Sequence, residues 1–146
     1  MLTFTGPPGT GKTTLLICAV NATREANIPS IYSTMSDLLD YLRGAFDPNR
    51  QHAEGFDSRW ELLLSAEVMA VDELDDFAAT AWALERFQRL IDERWRHMDK
   101  RLTLLATNAG IERLPEKVAS RLRDGRSRVF TLSGRDMRPY RDWDGG

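Results

Sequence analysis

The sequence predicts a single α/β domain, a three-layer fold with helices on both faces of a five-stranded parallel sheet. Three observations carry that prediction. Short apolar runs alternate with helix-period segments along the chain, the pattern of strands joined by helical crossovers. A glycine-rich loop links the first run to the first helix, and the third run stops at two acids, Asp72 and Glu73. With 146 residues, 42% hydrophobic and 29% charged, the chain has room for one core and the composition of a globular domain.

Each element follows from local chemistry. Residues 2–5 read as a strand running straight into the glycine loop at 6–11. A helix over residues 12–25 is expected to turn Leu15, Leu16, Ala19 and Val20 inward. A second strand, 30–33, enters through Pro29, and Ser36 has the character of an N-cap for a helix carrying Leu38, Leu39 and Leu42. Asp47-Pro48-Asn49 and Gly55 mark a loop, after which a helix is expected over 58–65. Val68-Met69-Ala70-Val71 has the look of a buried parallel strand. Phe77, Ala81, Leu84, Phe87, Ile91, Trp95 and Met98 recur at spacings of three and four, one face of a long helix and a core stripe rather than a ligand platform. Asp75 and Asp76 read as that helix's N-terminus, where carboxylates favour the dipole. A strand over 102–106, a short helix over 116–123 and a last strand over 128–132 complete the pattern.

Charge and cysteine usage narrow the setting. The formal net charge of −2 conceals two opposed regions. Residues 113–141 hold nine basic groups against three acidic ones, a net of +6, while residues 1–112 carry −6. Such asymmetry suits a basic end that meets phosphates or an acidic neighbouring face, and equally a solvated surface. The single cysteine, Cys18, has no partner within the chain and reads as a small packed core thiol. No run approaches the roughly 18 apolar residues of a membrane span and no charged-then-apolar leader opens the sequence. A cytoplasmic protein with no membrane partner is expected.

The chemistry concentrates in two motifs. Gly6-Pro7-Pro8-Gly9-Thr10-Gly11-Lys12-Thr13 matches G-x-x-x-x-G-K-[ST] at every position. Glycines let backbone N–H groups close around phosphate oxygens, and the helix beginning near Lys12 adds its positive end beneath the same anion. Lys12 is expected on the β- and γ-phosphates of a nucleotide, with the Thr13 hydroxyl on Mg²⁺. In the second motif, Asp72 falls at the carboxyl end of a strand, where open α/β sheets bind ligands. It would share the Thr13-bound metal through the water shell, while Glu73 polarises a water for attack on the γ-phosphate. Together these motifs describe a Mg²⁺-dependent P-loop hydrolase of a nucleoside triphosphate.

Beyond these motifs the chain resembles a known family. Gly6 to Thr14, Val68 to Glu73, Leu104-Leu105-Ala106-Thr107-Asn108, Val118-Ala119-Ser120-Arg121-Leu122 and Gly134-Arg135-Asp136-Met137-Arg138 stand in the order of an AAA+ ATPase. The pattern is similar to the DnaC/IstB-type clade, replicative helicase loaders and transposition helpers. The resemblance implies an ASCE/AAA+ P-loop NTPase core over 1–146 that binds and hydrolyses ATP with Mg²⁺. Departing from the family, it is expected to lack the usual N-terminal extension and a helical lid, of which loaders of this type generally have little or none. It implies that the cofactor-binding segment runs through Thr14. Asn108 would be the polar sensor that holds the attacking water or γ-phosphate, Arg121 an arginine finger inserted into a neighbouring subunit's site, and Arg138 a second sensor within the same subunit. For Asn108 a turn cap, and for both arginines plain surface charge, are the competing readings.

The resemblance further implies a homo-oligomer that acts on single-stranded DNA and delivers a replicative helicase. Arg43, Arg50, Arg59 and Trp60 are candidates for contacting DNA, because single-strand binders combine cations with stacking aromatics; a packed loop is the alternative. Three other readings stand beside the loader. A transposition helper has the same core and another partner. A small-molecule P-loop kinase would lack the Asp-Glu strand end and transfer phosphate to an acceptor. A binding-only module would not turn ATP over.

Overall fold

The structure is a computed structural model that describes residues 1–46, 55–75 and 80–138. Five strands, β1 (Leu2–Thr5), β2 (Ser30–Thr34), β3 (Val68–Asp72), β4 (Leu102–Thr107) and β5 (Arg128–Thr131), alternate with helices. The helices are α1 (Lys12–Glu25), α2 (Met35–Arg43), α3 (Phe56–Ser65), α4 (Ala81–Arg96) and α5 (Glu116–Arg123). The strands form one parallel sheet in the order β2-β3-β4-β1-β5. The expected fold class is therefore observed. The expected loop at 47–49, together with Arg50, Asp76, Phe77 and Arg141, lies outside the described residues.

Strand alternation divides the core between the two faces. Val68, Ala70, Leu104 and Ala106 pack with Leu16 and Val20 of α1. Met69, Val71 and Leu105 point the other way, into a larger cluster with Leu38, Leu39 and Leu42 of α2, Leu63 of α3, Phe87 and Ile91 of α4 and Leu122 of α5. Among the described residues α1 thus works alone on its face, so only a narrow stripe of it is covered. Leu15, expected inward, is 45% exposed, and Cys18, expected in the core, is also exposed.

Three helix starts differ from expectation, α3 by opening at Phe56, two residues before the expected 58. The N-cap of α2 is Thr34, whose side-chain oxygen accepts from Asp37 N at 3.1 Å, which places Ser36 inside the first turn. Helix α4 begins at Ala81, capped by Thr80, whose hydroxyl accepts from Ala83 N at 3.2 Å. Asp75 therefore belongs to the turn after β3 and not to a helix N-terminus. On α4 the inward stripe is Ala83, Phe87, Leu90, Ile91 and Arg94; Ala81 is exposed and Leu84 only half-buried.

Arg94 is an arginine on a core stripe. It is fully buried, and its guanidinium reaches backbone carbonyls and a hydroxyl in place of a carboxylate. Nη1 donates to Leu63 O and Ala66 O at 2.9 Å each, Nη2 to Leu102 O at 2.9 Å, and Nε to Thr103 Oγ1 at 2.9 Å. These acceptors lie at the end of α3, before β3 and at the start of β4. One side chain thus ties together the amino ends of β3 and β4. Burial, and then the charge of Arg101, pull the guanidinium pKa down to about 10, which leaves it protonated at neutral pH.

Arg94→Met keeps the bulk but strands these buried acceptors. An unfolding free energy lower by about 3 kcal/mol is expected, since each unsatisfied buried group costs roughly 1–3 kcal/mol. Urea denaturation of parent and variant at neutral pH measures it, and an equal midpoint would refute the staple.

Candidate nucleotide site

A parallel sheet puts all its strand ends on one edge. Here the neighbours β3, β4 and β1 deliver Asp72-Glu73, Thr107-Asn108 and the loop from Gly6 side by side. A cleft of about 230 Å³ at that edge is lined by Gly9, Gly11, Lys12, Thr13, Asp72 and Glu73, and by Asn108 and Arg138. Seven of the positions singled out in the sequence for phosphate or metal therefore meet in space, with Arg138 beside them.

The loop's geometry depends on its glycines. Gly6 has φ +138°, and a Cβ there would lie 2.1 Å from the Leu132 carbonyl oxygen, so β5's end and the loop leave no room for a side chain. Gly11 caps α1 at φ +92°, a conformation L residues avoid. Lys12 is 6% exposed and curls back, its Nζ donating to Gly6 O and Pro7 O at 2.7 Å each. Desolvation lowers its pKa, opposed by the carboxylates of Asp72 and Asp75 and reinforced by Arg138. Thr10 Oγ1 donates to Pro7 O at 2.9 Å and closes the turn. No acidic residue occupies the first turn of α1, so its positive end is unopposed there. This cradle fits a phosphate chain.

The acidic strand end is equally constrained. Asp72 is 4% exposed; its Oδ1 accepts from Glu73 N at 2.8 Å and its Oδ2 from the Tyr32 hydroxyl at 3.2 Å. Glu73 takes φ +54°, uncommon for a residue with a side chain and a form of backbone strain that clusters at functional sites. Thr13 and Asp72 line one cleft, and among the described residues no cluster of three His, Cys, Asp or Glu forms an all-protein metal cage. That donor set suits Mg²⁺, which keeps waters and takes phosphate oxygens as ligands.

Three contributors have partners that the motifs do not reveal. Tyr32 reaches Asp72 because β2 lies beside β3 in parallel register, a relation no local pattern reveals. Asp75 accepts from Thr107 Oγ1 at 2.7 Å and from Asn108 N at 2.9 Å. The segment before Arg138 folds onto the phosphate loop: Met137 N donates to Gly9 O at 3.0 Å, and a Cβ on Gly9 would collide with the Asp136 carboxylate. Arg138 itself is exposed and pairs with Asp136 at 3.6 Å.

Arg121 is placed elsewhere. Its Nε and Nη2 meet Asp92 Oδ1 at 2.8 and 2.7 Å, and its guanidinium lies 4.1 Å over the Trp95 ring, beside a separate cavity of about 660 Å³ between α4 and α5. The proposed DNA contacts are largely engaged in packing. Arg59 is 5% exposed, donates to Tyr41 O and stacks on the Tyr41 ring, while Trp60 is 6% exposed and stacks on Phe56. Arg43 pairs with Asp40 at 3.1 Å and sits over Trp82. Arg59 and Trp60 are thus interior residues, and the packed alternative holds for them.

Fold and cleft together define a P-loop nucleotide-binding protein of the three-layer α/β type. The chain belongs to the ATPase family associated with various cellular activities (AAA), whose match covers residues 2–131. Comparison with curated proteins finds no match. Among solved structures it is similar to AMPPCP-bound DnaA from Aquifex aeolicus, at 17% identity and TM-score 0.71, over 90% of this chain and 40% of that one. It is similar to the replication initiator DnaA bound to AMPPCP and single-stranded DNA, at 16% identity and TM-score 0.76, over 92% and 40%. The DnaC helicase loader matches at 23% identity and TM-score 0.73, over 90% and 77%. At these identities the likeness is one of fold, and this chain spans about two fifths of the DnaA chains. No helix of the described residues is long and apolar enough to cross a membrane.

The Tyr32 bond makes a pH prediction. Burial and the neighbouring Asp72 push the Tyr32 pKa up from 10.0 to about 12. The folded state therefore favours the neutral phenol, a contribution present below pH 10 and lost as pH rises towards 12. In an alkaline titration followed by tyrosinate absorbance, one of the three tyrosines should ionise late, and Tyr32→Phe should abolish that step. A late step that persists in the variant would refute the assignment.

Proposed function

We propose that this chain is an ATP-hydrolysing AAA+ switch of the helicase-loader type, assembling as an oligomer on single-stranded DNA and acting on a replicative helicase. The observation that carries the reading is the one cleft in which the phosphate loop, Asp72, Glu73 and Asn108 converge. In it the segment from Gly6 to Thr14 wraps the phosphates, with Lys12 leaving its loop carbonyls for the β- and γ-oxygens. Thr13 and Asp72 would hold Mg²⁺, which would supply neutralisation of phosphate charge. Glu73 takes the proton of the attacking water, Asn108 orients that water or the γ-phosphate, and Arg138 meets the γ-phosphate from the same chain.

Arg121 has a different place in this scheme. Its position on α5, away from its own cleft, supports action on a second copy's nucleotide. A guanidinium so delivered is worth roughly 10³–10⁵ in rate in related GTPases. The fold shared with the DnaC helicase loader and with DnaA supports the replication setting.

ATP hydrolysis to ADP and phosphate, measured with and without single-stranded DNA and a replicative helicase, tests the reading. Glu73→Gln should retain nucleotide and lose about 10²–10⁴ in rate. Lys12→Ala and Arg121→Ala chains, each inactive alone, should regain activity when mixed, because a mixed interface pairs an intact loop with an intact arginine. Phosphate transfer to a small acceptor in place of water would overturn the ATPase reading, and mixtures that stay inactive would remove the finger.

A further inference from the structure

We propose that Asp75 is a positioning residue: its Oδ1 is the acceptor that holds the Asn108 loop in register with the Asp72-Glu73 strand end. The inference deepens the ATPase reading and rests on it.

The need for such a residue follows from the sheet. Pairing between β3 and β4 runs from Val68↔Leu102 to Val71↔Leu105. Past that point the β3 chain turns away, with Glu73 in the left-handed region. One further backbone bond follows, Leu74 N to Ala106 O at 3.1 Å. Thr107, the last residue of β4 and still paired with Thr5 of β1, and Asn108 lie just past this last rung on the β3 side. A side chain takes over there. Asp75 Oδ1 accepts from the Thr107 hydroxyl at 2.7 Å and from Asn108 N at 2.9 Å, and Thr107 Oγ1 in turn accepts from Ala109 N at 3.1 Å.

Three successive residues, the last of β4 and the first two of the loop after it, are thus tied, directly or through one hydroxyl, to a single oxygen just past the end of the neighbouring strand. Thr107 is 1% exposed, so water cannot readily replace the acceptor. Asn108, by contrast, is exposed, so burial does little to fix its side chain. Its place relative to Glu73 therefore depends on its backbone, which Asp75 anchors. Charge-assisted bonds of this kind are short and roughly twice as strong as neutral ones. Because reacting groups tolerate little misplacement, with about 1 Å worth as much as 10²-fold in rate, loss of the anchor should appear in turnover before it appears in binding.

The role is that of an acceptor, and that makes it separable from charge. Asn at position 75 keeps one carbonyl oxygen able to take both bonds, whereas Ala removes them. Thr107→Val deletes one donor and leaves the other. The experiment measures kcat for ATP, nucleotide Kd and hydrogen exchange of the Asn108 amide in the parent and these three variants. Asp75→Ala should lower kcat by about tenfold or more with Kd within about twofold, and speed exchange at Asn108. Asp75→Asn should restore kcat to within about threefold, and Thr107→Val should fall between.

Asp75→Asn as slow as Asp75→Ala would overturn the proposal, because charge and not acceptance would then be what matters. So would an unchanged kcat in Asp75→Ala, or a loss of Kd matching the loss of kcat. If Asp75→Ala fails to fold, Thr107→Val decides: reduced kcat with intact binding supports the anchor, and parental kcat overturns it. A parent that binds ATP without turning it over removes the ATPase reading and the positioning role with it. Unchanged Asn108 exchange in Asp75→Ala removes the anchor alone, whatever turnover does.

Discussion

The parallel pairing of β3, β4 and β1 is the constraint on which the rest of this molecule depends. Parallel strands cannot be joined by tight turns, so each must be followed by a crossover, and every crossover leaves from the same edge. Chain order and sheet order differ: β4 is inserted between β3 and β1. That insertion brings Thr107-Asn108 between the acids of β3 and the phosphate loop of β1. Segments far apart in the chain become one cleft through backbone pairing alone, before any side chain of the site touches another.

The opposite edge must be closed for that arrangement to hold. At the amino ends of β3 and β4 the carbonyls of Leu63, Ala66 and Leu102 converge, and buried carbonyls without donors would be costly. Arg94 supplies its donors to all three and to Thr103. At the carboxyl edge the corresponding device is acidic: Asp75 gathers donors from Thr107 and Asn108. The central strand β4 is therefore fastened at both ends by a single charged side chain from outside it, a cation where carbonyls accumulate and an anion where N–H and O–H groups do. The chemistry of each staple follows from what a strand leaves unpaired at its start and at its finish.

This also explains what the amino-acid sequence discloses and what it withholds. The phosphate loop and the Asp72-Glu73 pair are legible because their function requires neighbouring residues in the chain, and strand–helix alternation is legible because its periods are local. Arg94 and Tyr32 are not. An arginine on an apolar stripe reads as a break in the pattern, and a tyrosine in a strand reads as β propensity, until register shows which carbonyls or carboxylate lie opposite. Asp75 misleads for the same reason: beside an expected helix start, an acid has a ready local explanation, while its partners are more than thirty residues away at the end of β4 and just past it. Leu15 and Cys18 failed differently. Their helix covers its face alone, so the buried stripe is narrower than the apolar periodicity suggests.

The charge asymmetry takes on a sharper form in three dimensions. Each acid within the basic stretch is already used by a nearby arginine: Glu116 by Arg123, Asp124 by Arg126 and Asp136 by Arg138. These short pairs are surface contacts and contribute little to stability. Arg121 differs, because its carboxylate, Asp92, comes from α4 in the acidic part of the chain and also takes Arg96 at 2.6 Å. With the Trp95 ring beneath it, the half-exposed guanidinium is held by an aromatic face and a carboxylate together. Arg126 lies over the same ring at 4.4 Å, so two arginines of the basic stretch meet on one aromatic face, and Arg121 alone of the two is also tied to α4 by a carboxylate.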